Sequence, residues 1–407
     1  MSEMKLQDDF PDHDRRDWRA LADKGLRGAD FETLISRTEN GLQRGPLFDA
    51  AQRPQTHAAL TGPDSPLLAG RPWHVCAPVT DPDLHFANMQ LLDDLKGGAS
   101  AIRIGSLPIT RRADLRRLLE GVLLDLVPIV FAPGSSAAIH AAGLDELYGT
   151  AVTLGLDPLG DKPDIPAGWR AFTIDAAATF EAGGSDGTEL AVFAATLAET
   201  FRRHGSGAQP HMSALFALGT DAHMGIVKIR AARRLHAAVA GAFGIDDPAL
   251  PIHAVTSQRM MQSEDGWTNM LRTTSAGFGA VIGGADYVTI RPFTDTPDHR
   301  RLGNATPFGY RIARNQQLLM MEESHLGQVR DAAYGSYFHE RMTEDLAQSA
   351  WSTFQIIEAA GGIEPYRQRG DLESAVAADR QARADRAEPV LGVTLHASDN
   401  APVPEVR

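Results

Sequence analysis

A single cysteine, Cys76, occurs in the whole sequence, so neither an intramolecular disulfide framework nor a cysteine-built zinc site can form. A reducing compartment suits such a chain, and a small core position in a strand is the expected place for Cys76. The 14 histidines show no H-E-x-x-H and no paired His/Cys spacing, so no metal site is expected. No apolar run approaches the roughly 20 residues of a membrane helix, and the opening MSEMKLQDDFPDHDRRDW lacks an apolar secretion segment. A cytoplasmic protein without a membrane partner is the expectation. Positive charge is also in deficit, with 39 Lys and Arg against 52 Asp and Glu and a net charge of -13. That balance disfavours general affinity for nucleic acid or anionic membrane and leaves room only for a local basic pocket.

What is present points to a large core. Hydrophobic residues make up 43% and charged residues 22%, a balance that excludes wholesale disorder. The 407 residues exceed a usual domain of about 100 to 200, although α/β barrels reach about 250 or more as one unit.

Three segments emerge along the chain. Residues 1–70 read as an arm and linker: Trp18, Leu21, Leu26 and Phe31 fall at loosely helical spacing, and the stretch from Pro46 to Pro72 is rich in Pro, Gly, Ala and Asp without a period. Residues 71–365 alternate short apolar runs with longer helical stretches, the pattern of successive βα units. Strands are predicted at 73–79, 101–105, 127–132, 171–175, 213–218, 251–257 and 287–293, with a weak eighth at 329–333. Helices are predicted at 84–95, 112–124, 188–203, 223–243, 267–279, 309–323 and 338–360. Eight repeats fit a closed (β/α)8 TIM-type barrel better than a doubly wound open sheet of five to seven strands. Residues 366–407 form a polar helix over 372–387 and a Pro-rich end expected to fray.

Several motif matches are better read structurally. Gly183-Gly184-Ser185-Asp186-Gly187 matches the G-x-S-x-G nucleophile elbow, but the preceding strand ends several residues too early. Ser185 or Asp186 is expected to cap a helix instead. Asp221-Ala222-His223-Met224-Gly225 approaches the Asp-x-His-x-x-Gly pattern that supplies a histidine to cobalt. Its glycine is one residue early, so helix capping by Asp221 is expected. Lys228, Arg230, Arg233 and Arg234 form a basic helix face, usually just solvated or paired with acidic neighbours and, less often, a phosphate or nucleotide-tail site.

The order and spacing of a set of short segments carry a further signal. They are Lys228-Ile-Arg-Ala-Ala-Arg233, Ile252-His-Ala-Val-Thr-Ser257, Asn269-Met-Leu-Arg-Thr-Thr274, Arg311-Ile-Ala-Arg-Asn-Gln316, Glu322-Glu-Ser324, Gly335-Ser-Tyr337, Leu346-Ala and Ala350-Trp351. Together they resemble the adenosylcobalamin-dependent acyl-CoA mutases, the methylmalonyl-CoA mutase family. A fainter likeness runs through Phe31-Glu-Thr-Leu, Arg71-Pro-Trp73, Glu181-Ala-Gly183 and Arg380-Gln-Ala-Arg383. The resemblance implies a barrel threaded by an acyl-CoA, with a cobalamin domain over one mouth. It also implies a Tyr-His pair just before the Glu-Ala-Gly run, which helps to displace the adenosyl group and hydrogen-bonds the thioester carbonyl.

Aligned on Glu181-Ala-Gly183, that pair falls on Ala177 and Ala178, so no catalytic residue is assigned to this chain. Catalytic members also carry a polar Gln or Arg near Val255 and an Asn near Arg291. Their tyrosine-containing segment before Arg71 is replaced here by Asp64-Ser-Pro-Leu-Leu-Ala-Gly70. No cobalamin-binding domain follows the barrel pattern, so no cofactor is expected on this chain and adenosylcobalamin is expected in a partner subunit. These losses resemble the small, non-catalytic subunit of heterodimeric methylmalonyl-CoA mutase, pairing with a cobalamin-binding large subunit. The alternatives are an active mutase barrel working with a separate cobalamin-binding chain, and a stand-alone CoA-thioester binding protein. His253, Thr256, Ser257 and Arg272 are the candidates for a vestigial acyl-CoA channel. The bland reading of His253 is a core histidine bonded to a backbone carbonyl, and Thr256 and Ser257 would merely cap a turn.

Overall fold

The computed structural model describes residues 13–54, 71–135, 147, 149–246, 248–296 and 307–397. The replaced segment at 64–70 and the Pro-rich end beyond 397 lie outside them.

The arm begins with helix α1 (Arg15–Leu26), whose start is set by a reciprocal capping box between Asp14 and Asp17. Trp18 meets Phe31 edge-on at 5.9 Å, and the Arg19 guanidinium lies 3.5 Å over the same ring. A short hairpin of β1 (Ser36–Arg37) and β2 (Gln43–Arg44) follows. Its connecting loop places Glu39 between Arg259 and Arg383, at 2.9 and 2.7 Å, which fastens the arm to the main body.

The main body is a closed barrel of eight parallel strands in simple chain order. They are β3 (His74–Val79), β4 (Ala101–Ile104), β5 (Ile129–Phe131), β6 (Val152–Leu156), β7 (Arg170–Asp175), β8 (Met212–Leu218), β9 (Ile252–Thr256) and β10 (Tyr287–Thr289). Closure is made by β10 pairing with both β9 and β3. Around the strands run α2 (Leu84–Lys96), α3 (Arg112–Leu118), α4 (Ala177–Glu181), α5 (Asp186–His204), α6 (Ala222–Ala242), α7 (Asn269–Gly283), α8 (Pro307–Leu318) and α9 (Tyr337–Ala359). Then come α10 (Ile363–Gln368) and α11 (Asp371–Arg386). No helix among the described residues is long and apolar enough to cross a membrane.

Alternation along each strand sorts side chains between two layers. Ile102, Ile104, Ile129 and Phe131 turn outward against Leu91, Leu115 and Leu118, whereas Phe172, Ile174, Phe216 and Ala254 turn outward against the buried, alanine-rich face of α5 and α6. Close approach of α6 and α7 depends on glycine: a Cβ at Gly279 would stand 2.9 Å from the Ala222 carbonyl oxygen and 3.3 Å from the Gly225 Cα.

The barrel reading holds, but the eighth strand was misplaced in the sequence. Residues 329–333 form turns, with Asp331 at φ +45° and its carboxylate on Arg230. The missing strand is β6, whose Val-Thr-Leu-Gly-Leu text is interrupted by Gly155 at φ +68° and by a register shift between Thr153 and Leu156. A side chain there would strike the Phe131 carbonyl oxygen at 2.4 Å. Glycine at a bulge hides a strand from any periodicity argument. The predicted helix at 112–124 ends at Leu118, and the predicted strand at 287–293 ends at Thr289, three residues before Pro292.

Candidate functional site

Ala177, Ala178, Thr256 and Ser257 lie at the C-terminal ends of β7 and β9, the end where barrel enzymes carry their chemistry, whereas His253 is near the start of β9 and Arg272 is on α7. From Asp175 the chain turns directly into α4, and the Asp175 carboxylate accepts a hydrogen bond from the Ala178 backbone N–H at 3.1 Å. Ala177 is buried and Ala178 is exposed. Ala177 joins Phe180, Leu215, Ala217 and Val255 in a compact apolar cluster. Phe180 lies between two cations, with the Lys228 ammonium 3.7 Å and the Arg259 guanidinium carbon 3.6 Å from its ring centre. At positions 177 and 178 there are therefore methyl groups beside a hydrophobic plug, with no proton donor on either side chain.

His253 sits in the barrel interior. Thr289 donates its hydroxyl hydrogen to the Cys76 carbonyl at 2.9 Å, so the 2.8 Å contact from its oxygen to His253 Nε2 is assigned with histidine as donor. Burial, and then the positive charge of Arg103, hold the His253 pKa well below its ordinary value, which keeps the ring neutral. Its partner is thus a hydroxyl, which in turn reaches a backbone carbonyl. Cys76 is a buried strand residue, its thiol pushed up to about 12 by burial. Thr256 Oγ1 accepts from the Arg291 N–H at 2.8 Å, and Ser257 Oγ caps the turn at 258–260 by accepting from the Arg259 N–H at 3.1 Å. Val255 belongs to the apolar plug.

Arg272 is not brought to the barrel axis. It lies on α7, donating to Asn269 Oδ1 at 2.7 Å and to the Leu391 carbonyl at 2.5 Å. There it lines a groove of about 800 Å³ that it shares with Ser257, Phe180, Arg259, Arg44 and Leu391, so the structure brings two of the four channel candidates, Ser257 and Arg272, to one groove.

Each cation on the basic face of α6 is paired with a carboxylate. Lys228 pairs with Asp186 and Glu189 at 2.6 and 2.5 Å, Arg230 with Asp331 and Glu340, Arg233 with Asp286 at 3.1 Å, and Arg234 with Glu344. These residues turn inward as ion pairs, so among the described residues this face offers no unpaired cation to a phosphate. Asp221 caps α6, accepting from the Met224 N–H at 3.0 Å. Ser185 caps α5 by accepting from the Thr188 N–H at 3.4 Å, and its own N–H donates to Asp379 at 2.8 Å. Ser185→Ala should therefore behave as a lost cap, lowering the unfolding free energy by about 1 kcal/mol in denaturant titration. A nucleophile's partner histidine is not needed to explain this serine.

The sequence reasoning did not find Phe180, Leu215 or Arg103. Only Phe180 left a trace, being the one aromatic inside the Ala-rich run before Glu181.

Comparison with known proteins completes the site. The family model described as methylmalonyl-CoA mutase matches residues 164–406. The methylmalonyl-CoA mutase small subunit of Streptomyces virginiae is 37% identical over 96% of this chain and 71% of its own length. The corresponding small subunit of Propionibacterium freudenreichii subsp. shermanii is 30% identical over 88% of this chain and 64% of its length. The methylmalonyl-CoA mutase of Rhizobium meliloti is 25% identical over 95% of this chain, which spans 64% of it. The chain thus spans about two thirds of each of these relatives. With a closed eight-stranded barrel whose fifth strand leads into the Glu181-Ala-Gly183 turn, and with this extent of similarity, the chain belongs to the methylmalonyl-CoA mutase family.

Proposed function

We propose that this chain is a non-catalytic, small-type subunit of a methylmalonyl-CoA mutase, and that it pairs in the cytoplasm with a large subunit that carries adenosylcobalamin and the chemistry. The observation that supports this reading most is the plug of Ala177, Phe180, Leu215, Ala217 and Val255. Displacing an adenosyl group and polarising a thioester need a phenol and an imidazole in place, and methyl groups supply neither donor nor acceptor. The side chains at 177 and 178 do not fit a task on the cobalamin, so no step through that group is assigned to this chain. Its contribution is a rigid barrel, with an arm fastened through Glu39, that a partner barrel can dock against. Permanent pairs of this kind bury about 2,000 Å² or more.

The test combines the purified chain with a methylmalonyl-CoA mutase large subunit and adenosylcobalamin. A stable one-to-one complex that isomerises methylmalonyl-CoA, and no turnover by this chain when only a separate cobalamin-binding protein is added, are the expected results. Turnover without the large subunit would show instead an active barrel, and failure of the two chains to associate would point to a stand-alone thioester-binding protein.

A further inference from the structure

The groove that holds Arg272 differs in charge from the rest of the molecule. Seven cationic side chains line it against four carboxylates, in a chain whose net charge is -13. Three of those carboxylates are already paired: Asp221 with Arg44 at 2.6 Å, Glu39 with both Arg259 and Arg383, and Asp186 with Lys228. The fourth, Glu388, stands 3.9 Å from Arg386 and is largely exposed. Among the described residues Arg37 and Arg272 meet neutral acceptors only, the Gly41 carbonyl at 3.0 Å for Arg37, and Asn269 Oδ1 and the Leu391 carbonyl for Arg272. Arg272 is buried, so water answers little of its charge. An acidic protein thus carries one groove with an excess of positive charge, which attracts an anionic partner.

Three further features define the form of that partner. Strand β1 lines the groove and pairs only with β2, and the Thr38 N–H donates to the Leu42 carbonyl at 2.9 Å. By the alternation of an antiparallel ladder, Ser36 and Thr38 bond toward β2, and Arg37 turns its N–H and carbonyl onto the unpaired edge. An extended chain can add there as a third strand. Leu271 and Leu391 line the same groove and are 65% and 44% exposed, which leaves a place for an apolar side chain of the incoming segment. Phe180 is the one aromatic ring among the lining residues, and it already lies between Lys228 and Arg259, so no ring face is free to stack a nucleotide base.

We propose that this groove docks an extended acidic segment of the mutase large subunit, with carboxylates against Arg37 and Arg272 and its backbone paired to the β1 edge at Arg37. The inference rests on the small-subunit reading above and adds to it the surface of contact and the chemistry of what it receives. Guanidinium forks match carboxylates through two parallel N–H donors, which fixes the register of the segment as well as its charge.

The test measures binding of the purified full chain to a methylmalonyl-CoA mutase large subunit by calorimetry at low and high salt. It compares wild type with Arg37→Glu, Leu271→Asp and a control, Arg117→Glu, which reverses a charge on α3 outside the groove. All three side chains are exposed, so each variant should fold. The expected result is binding about tenfold weaker in both groove variants and unchanged in the control, with an affinity that falls more steeply with salt in wild type than in Arg37→Glu. Hydrogen exchange at the Arg37 amide should slow in the complex. Binding by wild type with both groove variants unchanged, or with exchange at Arg37 unchanged, would overturn the proposal and leave the small-subunit reading standing. No binding by wild type would overturn that reading and the proposal with it. Self-association, or thermal stabilisation by inorganic phosphate, that Arg37→Glu abolishes while large-subunit binding is kept would overturn the proposal in favour of a second copy or a free anion.

Discussion

Lys228→Met is expected to lower the unfolding free energy by about 3–5 kcal/mol at pH 8, among the largest effects of any single substitution in the barrel wall. The Lys228 ammonium is buried and donates to Glu189 at 2.5 Å and to the Ala217 carbonyl at 2.7 Å, while pairing with Asp186 at 2.6 Å. Glu189 in turn accepts from the Ala217 N–H at 3.0 Å, so the network stitches α5 and α6 to β8. Burial lowers the Lys228 pKa, but Asp186 and Glu189 outweigh it and raise the value. Methionine fills the volume and leaves two buried carboxylates without their cation.

The pH dependence of that loss has a defined sign. Burial raises Glu189 from 4.5 to about 7, with Lys228 opposing the rise, and burial raises Asp186 as well. A carboxyl whose folded value is raised binds more protons folded than unfolded between those two values, so stability falls as pH rises through the window. Without Lys228 the window extends upward. The deficit of Lys228→Met should therefore be largest above pH 7 and shrink toward pH 5, as denaturant titrations at pH 5, 7 and 8 would read. A deficit that stayed constant across that range would mean that Glu189 and Asp186 keep their protonation state without the lysine.

Phe180→Ala is expected to cost about 3–5 kcal/mol, because truncating a buried ring leaves a cavity that its neighbours fill only partly. The ring is 3% exposed and seals the β7–β8–β9 side of the mouth against Ala177, Leu215 and Val255. It also separates Lys228 from Arg259, whose Nη1 donates to the Phe180 and Gly184 carbonyls at 3.0 and 2.9 Å. Loss of the ring should loosen α4 as a unit. Hydrogen exchange at Ala182, Gly183 and Gly184, whose amides bond back into residues 178–180, should then speed up more than exchange in the barrel strands. Protection unchanged at those three amides would show that the backbone of α4 holds without its aromatic anchor.

These two residues mark where reading the sequence stops. Lys228 was visible as part of a basic helix face, and its pairing with acidic residues was one of three readings left open, beside a solvated face and a phosphate site. Asp186 and Glu189 lie about 40 positions earlier, and nothing local says that they meet it. Ala177 and Ala178 were legible because a fixed offset from Glu181-Ala-Gly183 places them. The plug around Ala177 was not, since Leu215 and Val255 come from separate strands. Strand β6 escaped because Gly155 breaks the period, and helix spacing does not say which groove the Arg272 side chain reaches.

Sequence alone determined the repeating βα pattern with seven of the eight strands, the family, and the two methyl groups at 177 and 178, all of which depend on short-range spacing or ordered local segments. Only the tertiary structure decided that the basic face of α6 is turned inward and paired, and that Phe180 packs with Ala177, Leu215 and Val255 between Lys228 and Arg259. Each of these depends on side chains from strands and helices far apart in the chain, and the strength of a charge there is set by how much water the surrounding elements exclude.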